Sequence, residues 1–329
     1  MINAKIKSNL SFALSCAFAL TGLLALVLAP SAAAESVRDG LALCSSVIIP
    51  SLLPFFVLSG LVSGLGLPQL LSRAAERPMR ALFGVSGLGC VPFVLGLTGG
   101  YPVGAAAVAG LVRGGELTER EGERLLPFCN NTGPAFILGA AGSGVFGSTA
   151  CGILLYLSHI FAALAVGVVF SLGRRGAASD APRSRFRPRG LPAALAESVK
   201  NAVSSTLNVC GFVLFFCVVT GLLDHAGIFS ALTGGLSERT GAALGFCRAL
   251  LTGLLELGGG IGAMRGLSTA PQNLALCSFL LGFGGLSVHC QTLLVLEGTN
   301  MKCARHFAGR ILHALISALF TFVAASILF

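Results

Sequence analysis

The polar side chains that could do chemistry in this sequence lie beside glycine- and proline-rich breaks in long apolar runs. A backbone that stops being helical inside hydrocarbon leaves N–H and C=O groups without partners, at a cost of several kcal/mol for each group. Such breaks persist only where protein or a polar cavity supplies the missing hydrogen bonds. The sequence therefore predicts a site for a small polar solute near the middle of a membrane, formed by broken helices. The residues expected to form it are Gly99, Gly100, Tyr101, Asn130, Asn131, Thr132, Glu256, Gly259, Ser287, His289 and Gln291.

Glu256 is the acidic side chain that lies deep in an apolar run, from Ala249 to Leu257, and it directly precedes Gly258-Gly259-Gly260. An ionisable group at membrane depth is costly to bury, so a coupling cation or a proton bound at Glu256 is the default hypothesis. The other interpretation is that Glu256 lies in a wet hairpin tip, or that it pairs with Arg248 or Arg265.

Amide, hydroxyl and imidazole groups complete the candidate set. Asn130, Asn131 and Thr132 could hold a polar substrate, or they could only cap the helix ends at the break, and both interpretations stay open. His159 lies within the apolar run 149–173, and His289 follows a later break. A single histidine in a helix bundle is more often an interhelical hydrogen-bond partner than a ligand.

The sequence lacks the motifs of common enzyme classes. It contains no G-x-x-x-x-G-K-[ST] phosphate loop, no H-E-x-x-H zinc motif and no nucleophile and base pattern. Its 11 cysteines form no C-x-x-C pair and lie mostly in apolar runs, so they indicate neither a disulfide framework nor a zinc site. We therefore expect a protein that is not an enzyme and has no cofactor other than the coupling ion proposed for Glu256.

Composition places the chain in a membrane. Of its 329 residues 54% are hydrophobic and 11% are charged, and the mean hydropathy is +0.87. These are too few polar side chains to cover a water-soluble globule of this size. The net charge of +9 comes from basic residues in loops between apolar runs, which the positive-inside bias explains without nucleic acid. We expect a multi-pass protein of the cell membrane whose partners are the lipid bilayer and a solute, with a homo-oligomer left open.

The elements that must position the candidate residues begin after an N-terminal segment, residues 1–40. Lys5 and Lys7 precede an apolar run from Leu10 to Ala29, which small residues follow. This pattern fits a secretory signal or a first transmembrane helix. A run of about 20 residues is long for a signal core and suits a membrane span, so an uncleaved helix is favoured.

The first repeat, residues 41–173, is predicted to hold a re-entrant hairpin. Residues 85–112 form two apolar halves joined by Gly99-Gly100-Tyr101-Pro102. Each half has about 10 to 12 residues, which is too short to cross about 30 Å at 1.5 Å per residue. The other units are a span at 41–64 kinked by Pro50 and Pro54, a span at 125–146 interrupted at 129–134, and a span at 149–173.

A basic linker, residues 174–200, separates this repeat from a second one at 201–329. Its segment 174–192 carries six arginines and one aspartate and is expected to be cytoplasmic. The second repeat follows the same order as the first. Its units are a span at 202–223, a hairpin at 241–264 broken at Gly258-Gly259-Gly260, a span at 273–296 interrupted at 282–287, and a last span at 306–329.

The basic residues support this arrangement independently. With both hairpins re-entrant and the N-terminus inside, 18 of the 22 basic residues lie on the cytoplasmic side, Arg310 among them. If either hairpin were a full crossing, later basic loops would change sides. The same threading gives the two repeats opposite orientations, so the predicted fold is an all-α polytopic integral membrane protein with inverted-topology repeats, re-entrant hairpins and broken transmembrane helices.

Four motifs carry a family resemblance. They are R-P-M-R-A-L-F-G-V at 77–85, G-L-T-G-G-Y-P-V-G-A at 96–105, E-R-L-L-P-F-C-N-N-T-G-P-A-F-I at 123–137 and F-G-G-L-S-V-H-C-Q at 283–291. In these the chain resembles the sporulation integral membrane proteins of endospore-forming bacteria. That family carries the nucleoside-recognition, or Gate, domain, which is similar to parts of concentrative nucleoside transporters and ferrous-iron permeases. The resemblance implies a role in forming the spore cortex or envelope, and it implies no particular solute.

Two functions follow from these observations. The first is a secondary transporter in which Glu256 faces the Asn130-Asn131 break at the repeat interface and the two halves give alternating access. The second is a membrane scaffold without transport, which positions spore-envelope enzymes through the arginines of the linker and the loop from Arg113 to Arg124. Because a scaffold gains nothing from broken helices at matched depth, transport is favoured.

Overall fold

A computed structural model of the protein describes residues 2–172 and 190–328, so residues 174–189 of the predicted linker lie outside the described residues. Every regular element in these ranges is helical. The first half contains α1 (Ile2–Leu28), α2 (Pro30–Leu43), α3 (Ile49–Gly64), α4 (Leu67–Pro78), α5 (Cys90–Gly99), α6 (Val103–Arg113), α7 (Glu119–Cys129) and α8 (Thr149–Ser171). The second half contains α9 (Leu191–His225), α10 (Ile228–Thr240), α11 (Leu244–Leu255), α12 (Leu257–Gly262), α13 (Pro271–Phe283), α14 (Gly285–Val295) and α15 (Ala304–Leu328).

Several helices are long and apolar enough to cross a membrane. Among the described residues four candidate spans meet this criterion, at Thr149–Ser171, Leu191–His225, Pro271–Val295 and Ala304–Leu328. Two further pairs, bent by 100° and 90°, raise the number to six if each pair is one span. The predicted class, an all-α polytopic membrane protein with broken helices, is confirmed.

The prolines of the second predicted span distort the helix without ending it. α2 and α3 form one continuous helix through a π-helical turn at Cys44–Ile48, just before Pro50. A proline has no N–H to donate to the preceding turn, and a locally widened turn relieves the clash of its ring. The continuous helix, residues 30–64, packs along α9, which has the same length of 35 residues. The predicted boundaries at 40 and 200 therefore lie inside helices, and the division of the chain stays a prediction.

The first hairpin is formed by α5 and α6, as predicted. Its two arms cross at Gly96 and Gly104, and the carbonyl oxygen of Cys129, at the end of α7, lies between them. A Cβ atom at Gly96 or Gly104 would come within 2 Å of that oxygen, at 1.7 and 1.9 Å respectively. Glycine is thus required here because the backbone of the next break, at the end of α7, approaches the hairpin arms directly.

The second hairpin differs from its prediction. Its break is at Glu256, whose backbone is extended (φ −138°, ψ 119°), whereas Gly258, Gly259 and Gly260 are helical in α12. Glu256 caps that helix, and its carboxylate accepts hydrogen bonds from the backbone N–H groups of Gly258 and Gly259. The cap stabilises a helical turn that the glycine run alone would disfavour.

Equivalent elements of the two halves contact each other. α3 packs on α9, and α8 packs on α15; α7 contacts α15 while α13 contacts α8. The order hairpin, broken helix, long helix occurs once in each half, as α5 to α8 and as α11 to α15. The predicted repeat is therefore present, and helices of each half pack against helices of the other half across a shared interface.

Contacts between loops fix the orientation of the first hairpin. Arg113, at its end, donates to the carbonyl oxygens of Val295 and Glu297, the latter at 3.2 Å. Asn300 Nδ2 donates to Glu119 Oε1 at 2.9 Å. The first hairpin therefore opens beside the loop between α14 and α15, and the charge distribution predicts that this end of the molecule faces the cytoplasm.

The second hairpin opens at the opposite end. Leu267, in the loop after it, packs in one apolar cluster with Val145 and Phe146, which directly precede α8. α8 runs 23 residues from this end to Ser171, whose hydroxyl donates to the carbonyl oxygen of Leu82 near the first hairpin at 2.7 Å. A helix of that length spans about 34 Å, close to a bilayer core. The two hairpins thus enter from opposite ends, as inverted repeats require.

The last helix, α15, is polar inside and apolar outside. Ile311, Leu315 and Leu319 on its outer face are exposed, as expected for side chains that contact lipid. Its inner face carries a polar stripe at helical spacing, which we call the α15 stripe. The stripe consists of His306, Arg310, His313, Ser317 and Thr321, all buried.

Candidate functional site

Three of the four breaks and the middle of α14 line a half-open cavity of about 90 Å³, called here the break cavity. One wall is apolar and comes from residues 43–55 and from α9. The opposite wall is the polar one and contains six of the predicted site residues. These are Gly99, Gly100, Tyr101, Thr132, Glu256 and Gln291.

Hydrogen bonds join the breaks across the repeat interface. The Tyr101 hydroxyl is 3.1 Å from the carbonyl oxygen of Leu281 and 3.3 Å from that of Gly282, at the end of α13. The Thr132 hydroxyl donates to the same Leu281 oxygen at 2.8 Å. Three breaks of the sequence, around residues 101, 132 and 284, therefore share one hydrogen-bonded layer that satisfies backbone groups released from helices.

Glu256 is buried, 4% exposed, and lies at the edge of the break cavity. Both of its carboxylate oxygens accept backbone N–H groups, so the carboxylate interacts favourably with the positive end of α12. It forms no ion pair with Arg248, which pairs with Asp224 at 2.8 Å. Whether Glu256 binds a cation or a proton stays a prediction.

Five predicted residues do not line the cavity. Asn130 donates to Thr292 Oγ1 at 2.9 Å, and Asn131 donates to the carbonyl oxygen of Phe128 at 2.7 Å, so Asn131 satisfies the end of α7. Glu256 thus lines the same cavity as Thr132, whereas the two asparagines do not line it. The other three are Gly259, which donates to Glu256, Ser287, which accepts from Gln291 at 3.2 Å, and His289, which is 3.4 Å from His306.

The residue that sequence reasoning missed is Arg310. It was grouped with the cytoplasmic basic residues, but its side chain is 0% exposed inside the bundle. Its Nη1 atom donates to the carbonyl oxygen of Asn130 at 2.6 Å, and its Nη2 atom donates to the Tyr101 hydroxyl and the carbonyl oxygen of Gly282. The guanidinium therefore contacts three of the four breaks.

Two histidines, His313 and His159, extend this layer from Arg310. His313 Nδ1 lies 3.3 Å from Arg310 Nη1, and His313 Nε2 lies 3.2 Å from His159 Nδ1. The backbone N–H of Thr132 donates to His159 Nε2 at 3.1 Å, which completes a chain back to the break. As expected for histidines in a bundle, His159 is an interhelical hydrogen-bond partner.

A signal for the missed residues was present in the sequence. Positions 306, 310, 313, 317 and 321 follow the 3.6-residue period of a helix and place five polar residues on one face of an apolar segment. On a helix that is predicted to cross a membrane, a polar face is expected to point into the helix bundle, because polar side chains are unfavourable in contact with lipid.

A larger crevice of about 820 Å³ leads toward the break cavity. It lies between the pair formed by α3 and α9 on one side and α6 with α14 on the other. Arg113 and Glu116 lie at the end that is predicted to be cytoplasmic, and the crevice shares Val209 and Gln291 with the break cavity. Hydroxyl and amide side chains follow its length on α3 and α9, namely Ser59, Ser63, Ser198, Asn201, Ser204, Ser205 and Asn208.

Comparison with known proteins decides the family. The chain is 32% identical over 321 residues to the sporulation integral membrane protein YlbJ of Bacillus subtilis (strain 168), and the match covers 88% of this chain and 77% of that protein. The chain belongs to the family of sporulation integral membrane proteins. The family expected from the four motifs is confirmed, and with it a multi-pass location in a membrane.

Two further comparisons complete this result. No protein-family model matches the chain. Among solved structures, a CNTnw variant in its intermediate 3 state is similar at a TM-score of 0.45 and 15% sequence identity, over 97% of this chain and 86% of that one.

Proposed function

We propose that this family member is a carrier that moves a small polar solute across a membrane of the spore-forming cell, by way of the break cavity. The name of its relative, a sporulation integral membrane protein, supports a role in sporulation. The solute site would be the polar wall of the cavity, where Tyr101, Thr132, Glu256 and Gln291 offer hydroxyl, carboxylate and amide groups.

One observation carries the proposal. Broken helices from both inverted halves meet at a cavity, and a polar crevice of about 820 Å³ adjoins that cavity at Val209 and Gln291 and extends toward the predicted cytoplasmic end. Polar side chains at this depth would be unfavourable against lipid, so the crevice is suited to water and solute. Broken helices that surround a midplane site are the arrangement by which secondary transporters bind their substrates.

The proposal is tested by substituting Gln291, the polar one of the two residues that line both spaces. In a spore-forming strain whose only copy of the gene is the variant, Gln291→Ala should reduce the yield of heat-resistant spores by about tenfold or more, since one hydrogen bond to the solute is lost. Glu256→Gln should act in the same direction. Gln272→Ala is the matched control, because Gln272 is exposed at the start of α13.

Membrane abundance of each variant, measured on the same cultures, separates lost function from lost protein. Normal spore yield from both Gln291→Ala and Glu256→Gln at normal abundance would contradict a carrier. The scaffold hypothesis makes the opposite prediction. It expects charge reversal of the linker arginines to abolish spore formation while the cavity variants do not, the arginines being Arg183, Arg185, Arg187 and Arg189.

A further inference from the structure

The C-terminal ends of the broken helices converge on one point of the interface. α7 ends at Cys129 and α13 ends at Phe283, and the last free carbonyl groups of a helix carry a partial negative charge of about half an elementary charge. In carriers built from broken helices, such ends and the unwound carbonyl groups beside them coordinate the coupling cation. In this protein a side chain occupies the corresponding place between the ends of α7 and α13.

We propose that Arg310 is a tethered cation that occupies the position of a coupling ion, so that the site is complete without Na⁺ or another free metal cation. This inference deepens the proposed carrier function, on which the term coupling ion rests. The guanidinium of Arg310 donates hydrogen bonds to the carbonyl oxygens of Asn130 and Gly282 and to the hydroxyl of Tyr101, one group from each of three breaks.

The surroundings of Arg310 show that these oxygens are what stabilises its charge. No carboxylate in residues 2–172 or 190–328 forms an ion pair with it. A buried charge without partners costs many kcal/mol, so the dipoles of the two helix ends must offset that cost. The Tyr101 ring adds a cation–π contact, with the guanidinium carbon 5.2 Å from the ring centroid.

Geometry also explains why an arginine suits this position. The planar guanidinium has five N–H donors in a fixed fork, so one side chain reaches acceptors that belong to different breaks. A metal ion would need the same Asn130 and Gly282 oxygens that Arg310 already engages. On the α12 side of the site, the backbone N–H groups of Gly258 and Gly259 donate to the carboxylate of Glu256. The negative charge at this helix start is therefore also supplied by a side chain of the protein.

The first test compares cations on the unmodified protein in detergent. Its thermal unfolding midpoint should agree within about 1 °C between NaCl, KCl and choline chloride at equal ionic strength, because a ligand that binds the folded state raises the midpoint by mass action. A midpoint raised specifically by Na⁺ would show a free cation site and overturn the proposal.

The second test removes the tethered charge. Arg310→Gln should lower the midpoint by about 5 °C or more, since carbonyl groups of two helix ends lose a charged donor. Arg305→Gln, five residues earlier on α15 and only partly buried, is the matched control and should change it by about 1 °C or less. An Arg310→Gln midpoint equal to that of the control would overturn the proposal.

Chemical rescue distinguishes a lost cation from a merely disturbed core. In Arg310→Ala, guanidinium ion at non-denaturing concentration should raise the midpoint, while the unmodified protein should show no increase. Absence of this rescue in a folded variant counts against the proposal. None of these measurements depends on solute movement, so they can fail while the spore assay supports a carrier, or succeed while it does not.

Discussion

The hydrogen-bonded layer between the two halves depends on one small group, the hydroxyl of Tyr101. It contacts Arg310 and the carbonyl oxygens of Leu281 and Gly282. Tyr101→Phe keeps the ring and removes this group, so we expect a loss of about 1 to 3 kcal/mol in the free energy of unfolding, the cost of a buried partner left unsatisfied. The midpoint of thermal unfolding in detergent measures the loss.

The other tyrosine of the chain provides the control. Tyr156 makes one hydrogen bond, to the carbonyl oxygen of Leu97 at 3.2 Å, in a partly buried position. Tyr156→Phe should therefore lower the free energy of unfolding by less than about 1 kcal/mol. Equal midpoints for the two variants would show that the Tyr101 hydroxyl does not hold the breaks together.

At the same scale, the sequence was informative about residues beside breaks and uninformative about their distant partners. Tyr101, Thr132 and Glu256 could be predicted because each interrupts an apolar run. Arg310 could not be placed in the same way, since its acceptors are backbone oxygens at positions 130 and 282. No residue type marks a carbonyl group as an acceptor, so only the periodicity of the α15 stripe pointed to it.

Among the elements, the first hairpin depends on the close approach of its arms to the end of α7. Gly104→Ala would place a methyl group 1.9 Å from the carbonyl oxygen of Cys129, so backbone must move. We expect a destabilisation of about 3 kcal/mol, at the upper end of overpacking effects, and reduced abundance in the membrane. Thermal unfolding of the purified variant provides the measurement.

A second glycine of α6 serves as comparison. Gly110 has no atom within 4 Å of the position of an added Cβ, so Gly110→Ala should be neutral or should stabilise by up to about 1 kcal/mol through helix propensity. If Gly104→Ala behaves like Gly110→Ala, the arms of the hairpin are not in the close contact described.

Breaks are easier to predict than their exact positions. The interruption at G-G-Y-P lies where expected because proline and a glycine at φ 82° both oppose a continuing helix. The prediction that Gly258-Gly259-Gly260 forms the break of the second hairpin is wrong, because these residues are helical in α12. The carboxylate of Glu256 accepts hydrogen bonds from the N–H groups of Gly258 and Gly259 and so caps this helix. The cap outweighs the poor helix propensity of the glycines.

For the whole molecule, the crevice predicts sidedness. Asn208 lines the crevice, whereas Leu207, one residue earlier on α9, lies outside it and is 62% exposed. Each is replaced by cysteine in turn, as Asn208→Cys and Leu207→Cys. A membrane-impermeant thiol reagent should label Asn208→Cys from the cytoplasmic side, in inside-out vesicles, because a thiolate forms only in contact with water. Labelling is counted above that of the unsubstituted chain.

Leu207→Cys should stay unlabelled from either side, as a thiol facing lipid has no water to ionise it. Labelling of Asn208→Cys from the outside alone would reverse the assigned orientation. Equal labelling of the two positions would mean that the crevice is not a separate aqueous space.

The large-scale arrangement was predictable from charge and length together. Basic residues marked the cytoplasmic loops, and short hairpin arms fixed the number of crossings, so the opposite orientation of the halves followed. The length of helices 30–64 and 191–225 was not predictable, because polar residues at their ends resemble loops until another helix is known to cover them.

The α15 stripe also affects how the chain is assembled in the cell. The most costly polar residue of the stripe, Arg310, is in α15, which is synthesised after α7 and α13, so its partners at Asn130 and Gly282 are already in place when it emerges. A chain interrupted before Ala304 would keep those carbonyl groups unsatisfied in the bilayer. Synthesis of α15 is thus coupled to completion of the interface, and chains that terminate before this helix should be cleared by membrane proteases.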